Sequence, residues 1–314
     1  MRILTLLFLL LLGCILTNSQ ISLSYAAMGL KLWFEKMIPS LLPFMILSGT
    51  MVRLKLTDKF SMIIYPIVKP LYRVGKNVCY AMLMGFLCGF PMGARVVDDL
   101  YIRSMISKRE AEYLLAFCNN IGPVYFCSFV LPLLGRKLVL PYLFGMYGIP
   151  LLYGLVLRYT VYKDISPSRS VSLPPSLICC AAAPEKESSL GRLLGELDGS
   201  VRSAMQNMLS LGGYMVLFNL LNLLPHILLK RPLAPLAPLL EITGGLTVLG
   251  SAFPLHSLLA LSFGGLSCIA QTYSSIGDSD LSIRNYVLHK IILTALTALF
   301  YLCWFVLYPS SFLL

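Results

Sequence analysis

"LMGFLCGFPMGARVVDDLYIRSM" occupies residues 83–105. It begins as an apolar membrane segment and then places Gly85, Gly89, Pro91 and Gly93 within nine residues. Arg95, Asp98 and Asp99 follow at once. Hydrocarbon holds no water to satisfy backbone groups freed by glycine and proline. Broken backbone is therefore tolerated only where it is buried in protein or lines a cavity. The stretch thus predicts a helix break inside a membrane protein rather than an ordinary crossing.

Composition agrees with that setting. The 314 residues are 57% hydrophobic and 12% charged, with a mean hydropathy of +0.79. Soluble domains carry roughly 25% charged residues. Half that, with several apolar runs near the span length, predicts an all-α polytopic membrane protein. The net charge of +11 reads as Lys and Arg concentrated in cytoplasmic loops, not as a nucleic-acid surface. Nine cysteines without a CxxC, and three scattered histidines (His226, His256, His289), give no disulfide framework and no metal site. No cofactor is expected. "MRILTLLFLLLLGCILTNSQ" resembles a signal peptide, but the apolar run continues past Cys14. A retained first transmembrane helix over residues 1–25 is the favoured reading.

The chain also repeats itself. "GLKLWFEKMIPSLLPFMILSG" from Gly29 and "GSVRSAMQNMLSLGGYMVLFN" from Gly199 align without gaps. "GFPMGA" (89–94) then falls on "GLSCIA" (265–270), and "ISKREAEYLLAF" (106–117) on "LSIRNYVLHKII" (281–292). The offset stays near 170–176 residues. Between the units, crossings are expected at about 38–53, 111–133 and 138–162, with short segments at 60–75 and 78–94 that either re-enter or cross thinly. The count is odd in either case, which inverts the second unit, a plan common in transporters. The expected architecture is therefore an inverted repeat of about six full crossings plus two broken segments, eight to ten segments in all. Its halves are 26–162 and 199–314, joined by a Ser/Pro-rich cytoplasmic linker at 163–198. Lys and Arg counts place the N-terminus in the cytoplasm.

Paired interruptions mark a midplane binding site in such folds. Half-helix N-termini there favour anions. The candidate solute-binding residues are Gly89, Pro91 and Gly93 in the first break, and Gly265, Ser267 and Gln271 in the second. "FCNNIGP" (117–123) adds Asn119, Asn120 and Gly122; "LLEITGG" (239–245) adds Glu241, Thr243 and Gly244. The plainer alternative is that these glycines serve close helix packing or turns. A carboxylate in an apolar run faces a cavity or a partner, so Glu241 is a candidate for holding a proton or sodium ion as a coupling ion. An interfacial position near Lys230 and Arg231 is its alternative. Arg95, Asp98 and Asp99 are expected to leave the membrane as a solvated face. Ser107 and Glu110 form a capping box that starts a helix; Ser282 and Asn285 repeat it without the Glu.

Together, "AAMGLKLWFEKMIPSLLPFMILSG" (26–49), "GFPMGARVVDDLYIRSMISKREAEYLLAFCNNIGP" (89–123), "LLEITGG" (239–245) and "SFGGLSCIAQ" (262–271) resemble the YlbJ-type sporulation integral membrane proteins. That family carries a nucleoside-recognition, or Gate, domain similar to the core of concentrative nucleoside transporters. The resemblance implies a multi-pass protein of the cell membrane of an endospore former, in the membrane around the forespore. It further implies movement of a small organic solute, thought to be dipicolinate, with sporulation membrane proteins as candidate partners. One departure stands out: Pro91 and Gly93 are matched by Ser267 and Ile269, so the halves contribute unequally. Two further readings remain beside the transporter. A non-transporting scaffold would have a packed, self-paired polar centre. An intramembrane enzyme lacks support, since no HExxH, GxSxG or Walker A pattern occurs.

Overall fold

The chain is described from a computed structural model covering residues 2–62, 64–165, 189–277 and 279–312. Among these residues there are helices and connecting turns but no strand. That is the expected outcome for apolar runs whose backbone must satisfy itself. The principal helices are α1 (Arg2–Thr17), α2 (Ser19–Arg53), α3 (Lys76–Cys88), α4 (Met92–Ile102), α5 (Lys108–Leu115) and α6 (Pro123–Leu134). They continue with α7 (Arg136–Tyr159), α8 (Ser189–Leu220), α9 (Ile242–Leu249), α10 (Pro254–Phe263), α11 (Leu266–Ser275) and α12 (Ile283–Leu307).

Among the described residues, four stretches are long and apolar enough to cross a membrane: α7, Leu190–Leu229 (most of α8 with the helix beyond it), Pro254–Ser275 (α10 with α11) and α12. The bent pair formed by α1 and α2 makes a fifth if counted as one span; its two arms meet at 107°. The chain is thus a polytopic, all-helical membrane protein. The predicted linker at 163–198 falls largely outside the described residues, but Ser189–Asp198 already belong to α8.

Two expectations are corrected. Residues 111–133 do not make one continuous helix. α5 stops at Leu115 and the chain runs irregularly through 116–122 before α6. Pro123 disfavours helix at Gly122, and Asn119 and Asn120 offer the backbone competing side-chain bonds. Nor do Arg95, Asp98 and Asp99 leave the membrane as a loop. They lie on α4, where Asp98 is fully buried and Arg95 sits 3.2 Å from Asp99. The capping box is present as read: Glu110 N donates to Ser107 Oγ (3.2 Å), and Ser107 N donates to Glu110 Oε2 (2.8 Å).

α2 and α8 run antiparallel and form the spine of the molecule. Small residues let them approach closely, as expected where lipid supplies no hydrophobic drive. Gly29 meets the backbone of Met215 and Val216, and Gly212 lies under the Trp33 ring, whose indole donates to Met208 O at 2.9 Å. Trp33 opens a π-turn, Trp33–Met37, in the middle of α2. α3 and α4 fold back on each other across the 89–91 break. A Cβ on Gly93 would lie 3.2 Å from the Cα of Gly85, eight residues earlier, which a straight helix would hold about 12 Å away.

Candidate functional site

Four interruptions converge near the middle of the molecule. Gly89 adopts φ 74°, a conformation that excludes a side chain, and its Cα faces Gly122 N so closely that no Cβ fits between them. Phe90 N donates to Asn120 O at 2.7 Å. The first break is thereby bonded directly to the Asn break. On the other side, Tyr125 Oη donates to Thr243 Oγ1 at 3.2 Å, tying α6 to α9.

Between these contacts lies a cavity of about 30 Å³. It is lined by Cys88 and Phe90, by Ile121 and Gly122, by Glu241 and Thr243, and by Gln271, with α2 and α8 closing its apolar side. One water needs roughly 10–15 Å³ measured this way. The cavity therefore has room for about two waters and none for an organic solute as it stands.

Glu241 is 1% exposed and acts as the N-cap of α9. Its Oε1 accepts from Thr243 N at 3.0 Å, and its Oε2 accepts from Gly244 N at 2.6 Å and Asn219 Nδ2 at 3.0 Å. Glu241 is thus enclosed by protein and bonded to Asn219 and the α9 backbone. The positive pole of α9, which the sequence offered to an anionic solute, is met by the chain's own carboxylate. Gly244 is small for a related reason: a Cβ there would overlap the Asn219 amide.

The remaining sequence candidates take several positions. Asn119 and Asn120 are buried but sit behind the cavity wall, in a second polar cluster. Asn119 Nδ2 donates to Thr272 Oγ1 at 2.9 Å and lies 3.3 Å from Tyr286 Oη; Asn120 Nδ2 donates to Phe117 O at 2.6 Å. Pro91, whose peptide bond with Phe90 is cis, faces a groove beside α8 rather than the cavity. Gly93 packs on Cys118 O, and Gly265 packs on Pro238 O. Ser267 is fully buried on α11 away from the cavity, and Gln271 reaches both the cavity and the groove beside α8.

Lys290 was not among the sequence candidates. It lies in α12 at 2% exposure, and its Nζ reaches Asn120 Oδ1 at 3.3 Å and Asn119 O at 3.4 Å. A single lysine within the 25-residue run Ile283–Leu307 is the signal that marks it. Its ammonium thus meets one backbone carbonyl and one amide oxygen of the irregular stretch that follows α5.

The two glycine breaks differ in build. At 89–91 the flanking helices fold back on one another. At Gly264–Gly265, both with positive φ, α10 and α11 together still read as one 22-residue span.

No family model matches this chain, and no solved structure matches it. Among curated proteins it is similar to the sporulation integral membrane protein YlbJ of Bacillus subtilis (strain 168). The identity is 27% over 342 aligned positions, covering 96% of this chain and 82% of the relative. The likeness runs almost end to end and bears out the YlbJ-type resemblance carried by the quoted motifs.

Proposed function

We propose that this YlbJ-type membrane protein moves a small organic solute across the bilayer, with the solute held where the four interruptions meet. The supporting observation is that Gly122, Glu241, Thr243 and Gln271, from three separate broken segments, face one largely apolar central cavity. Irregular backbone at membrane depth is tolerated in such a setting, and transporters place substrate sites there. The inverted repeat and its six crossings belong to this proposal, as does the Gate-type character; the paired glycine breaks and the paired helix caps at Ser107 and Ser282 support them. No catalytic step is part of it.

The present cavity is the closed form. Loading it requires the first break and the Asn break to part, because they are bonded through Phe90 N and Asn120 O. The resemblance implies dipicolinate, an aromatic dianion. Glu241 is already held by three donors and opposes a second anion, so the positive charge for such a solute comes from Lys290 behind Asn120. A proton or sodium ion coupled through Glu241 completes this reading.

Uptake of radiolabelled dipicolinate into proteoliposomes tests it, comparing the unsubstituted chain with Asn120→Ala and Glu241→Gln. Saturable uptake lost in both variants, with each inserted and folded, is the expected result. No uptake above empty liposomes, with nucleosides also tried, sinks the transport reading. The second reading, a non-transporting scaffold, is favoured by the small cavity and by polar groups that satisfy one another around it.

A further inference from the structure

Both ends of the stretch 55–75, between α2 and α3, lie at one end of the bundle. α2 finishes there at Arg53, and Thr57 Oγ1 donates to Asn77 Oδ1, in the first turn of α3, at 2.9 Å. Asn77 Nδ2 donates in turn to Met105 O, in the turn after α4, at 3.0 Å. Further along the stretch, Tyr159 Oη donates to Leu71 O at 2.8 Å and Arg158 Nε to Tyr72 O at 2.7 Å. Arg158 Nη2 adds Arg73 O at 3.1 Å. Arg158 and Tyr159 close α7. The backbone of the stretch is thus fastened to the start of α3 and the end of α7. The Tyr72 ring reaches inward and donates to Leu151 O at 2.9 Å.

The stretch contains two short helices, Thr57–Ser61 and Tyr65–Tyr72. In the second, Pro66 sits in the first turn, where its missing N–H leaves no helix bond unmade, and Arg73 stops the helix at φ 49°. Tyr65, Val68 and Tyr72 turn toward the protein; Ile67 and Leu71, one turn apart, turn away. Ile67 is 67% exposed, and Met62 and Leu71 are about half exposed, at 55% and 48%. This apolar stripe is edged with charge. Residues 55–76 hold five cations, Lys55, Lys59, Lys69, Arg73 and Lys76, against the single carboxylate of Asp58. Among the described residues none of these cations forms an ion pair, whereas nearby Arg53, Lys108 and Arg109 are met by Glu196, Asp280 and Asp164. Lys69 Nζ stands 5.5 Å from the centre of the Tyr65 ring, and the Arg73 guanidinium 5.3 Å from that of Tyr159. An exposed apolar stripe flanked by cations and tyrosine rings suits the boundary between headgroups and acyl chains.

We propose that this stretch neither crosses nor re-enters the bilayer but lies in its headgroup layer and binds anionic phospholipid. Ile67 and Leu71 enter the acyl boundary, and Lys59, Lys69 and Arg73 meet lipid phosphates. Charge selects the occupant. A second copy of the chain docked symmetrically would set these cations against themselves. A zwitterionic leaflet would cover the stripe but offer the cations no net charge.

Site-specific photocrosslinking of the full chain in vesicles tests it. p-Benzoylphenylalanine replaces Ile67 or Leu71, or, as a reference, Leu209, which is exposed on α8. The vesicles hold phosphatidylglycerol and phosphatidylcholine in equal amounts, and the mass of each adduct identifies the headgroup. Irradiation should join both positions of the stretch to lipid. Phosphatidylglycerol should exceed phosphatidylcholine at least about threefold at Ile67 and stay near parity at Leu209. Lys59→Gln with Lys69→Gln and Arg73→Gln should bring the Ile67 ratio to parity, and added salt should lower it, because exposed charges are screened. No lipid adduct at Ile67 or Leu71, with Leu209 labelled, overturns the membrane contact. Adducts to a second copy of the chain in place of lipid overturn the choice of occupant. Parity at Ile67 with all the cations in place overturns the anionic assignment, and needs none of the Gln variants to fold. Enrichment that survives the three substitutions removes these cations from the site. Solute uptake enters none of these outcomes, so the proposal stands or falls apart from the transport reading.

Discussion

The two polar interruptions of this bundle are electrostatic opposites. At the Glu break, a carboxylate sits on the N–H end of α9 and receives three hydrogen bonds of 3.0 Å or less. At the Asn break, an ammonium meets the Asn119 carbonyl and the Asn120 amide oxygen, in the irregular stretch after α5, at 3.4 and 3.3 Å. Only the carboxylate sits on a helix pole. Their degree of satisfaction differs sharply. Glu241 is built into the fold, whereas Lys290 is buried with long, loose partners. A buried charge retained without tight pairing is what a functional group looks like in a membrane interior.

The largest effect that sharpens this contrast is on the Glu side. Glu241→Ala strips the acceptor from Thr243 N, Gly244 N and Asn219 Nδ2 together. Hydrogen bonds to charged groups contribute about 1.5–3 kcal/mol each, and orphaned donors add their own cost. A loss of about 4 kcal/mol of stability is expected, read as a large drop in the thermal unfolding midpoint in detergent. An unchanged midpoint would break the view that Glu241 is structural.

Next come two glycines with nearly the same backbone. Gly89 has φ 74° and ψ −167°, and Gly250 has φ 70° and ψ −163°. Gly89 abuts Gly122 N, whereas nothing lies within 4 Å of a Cβ built on Gly250. Backbone strain is common to both, about 1–2 kcal/mol for an alanine there. Only Gly89→Ala must also push apart two packed backbones, for a total of about 3 kcal/mol or more. Comparing the two unfolding midpoints isolates the junction between the first break and the Asn break. Equal losses would mean that the junction yields easily.

On the Asn side the expected change in stability is small and of the opposite sign. Lys290→Met keeps the length of the side chain and removes a poorly paired buried charge. Such replacements are commonly neutral or stabilising. The midpoint should stay or rise while solute uptake falls to background. A collapse of stability would make Lys290 a structural cap like Glu241 and dissolve the contrast.

Much of this arrangement is readable from the chain. Apolar runs with few charges announce a polytopic bundle, Ser107 with Glu110 marks the start of α5, and the clustered glycines and prolines of 85–93 mark a break. What escapes is whatever depends on tertiary facing. Averaged hydropathy passes smoothly over "FCNNIGP", so 111–133 reads as one crossing although two asparagines and a Gly-Pro pair stop the helix. One lysine barely lowers the mean of the α12 run, so Lys290 goes unmarked. Arg95, Asp98 and Asp99 have the spacing of paired charges on one helix face, but the choice between water and α8 is made by the fold of α3 against α4. Glu241 is the instructive case. The sequence places it beside a helix N-terminus and beside a candidate anion site, and only the geometry shows that its own carboxylate occupies that pole.

The smallest effect concerns a surface link between the chain's two ends. Asp280, in the turn before α12, accepts from Lys108 Nζ at 2.7 Å and from Tyr101 Oη at 2.7 Å. These bonds hold the Asp280 carboxyl below its ordinary 3.8, and Asp280 holds the Lys108 ammonium above its ordinary 10.5. A depressed carboxyl contributes stability that is present above the unfolded value near 3.8 and lost as pH falls through the folded value. A raised ammonium contributes stability that is present below 10.5 and lost as pH climbs through its folded value. The link is therefore complete throughout the neutral range. Lys108 and Asp280 are solvent-exposed, where an ion pair contributes little and salt weakens it further. Asp280→Asn should leave the unfolding midpoint at pH 7 unchanged within error and remove only the part of the acid-side decline that belongs to this carboxyl. A clear destabilisation at pH 7 would mean that the turn before α12 is held by this contact, and that the placement of Lys290, ten residues on, depends on a surface ion pair rather than on the packing of α12.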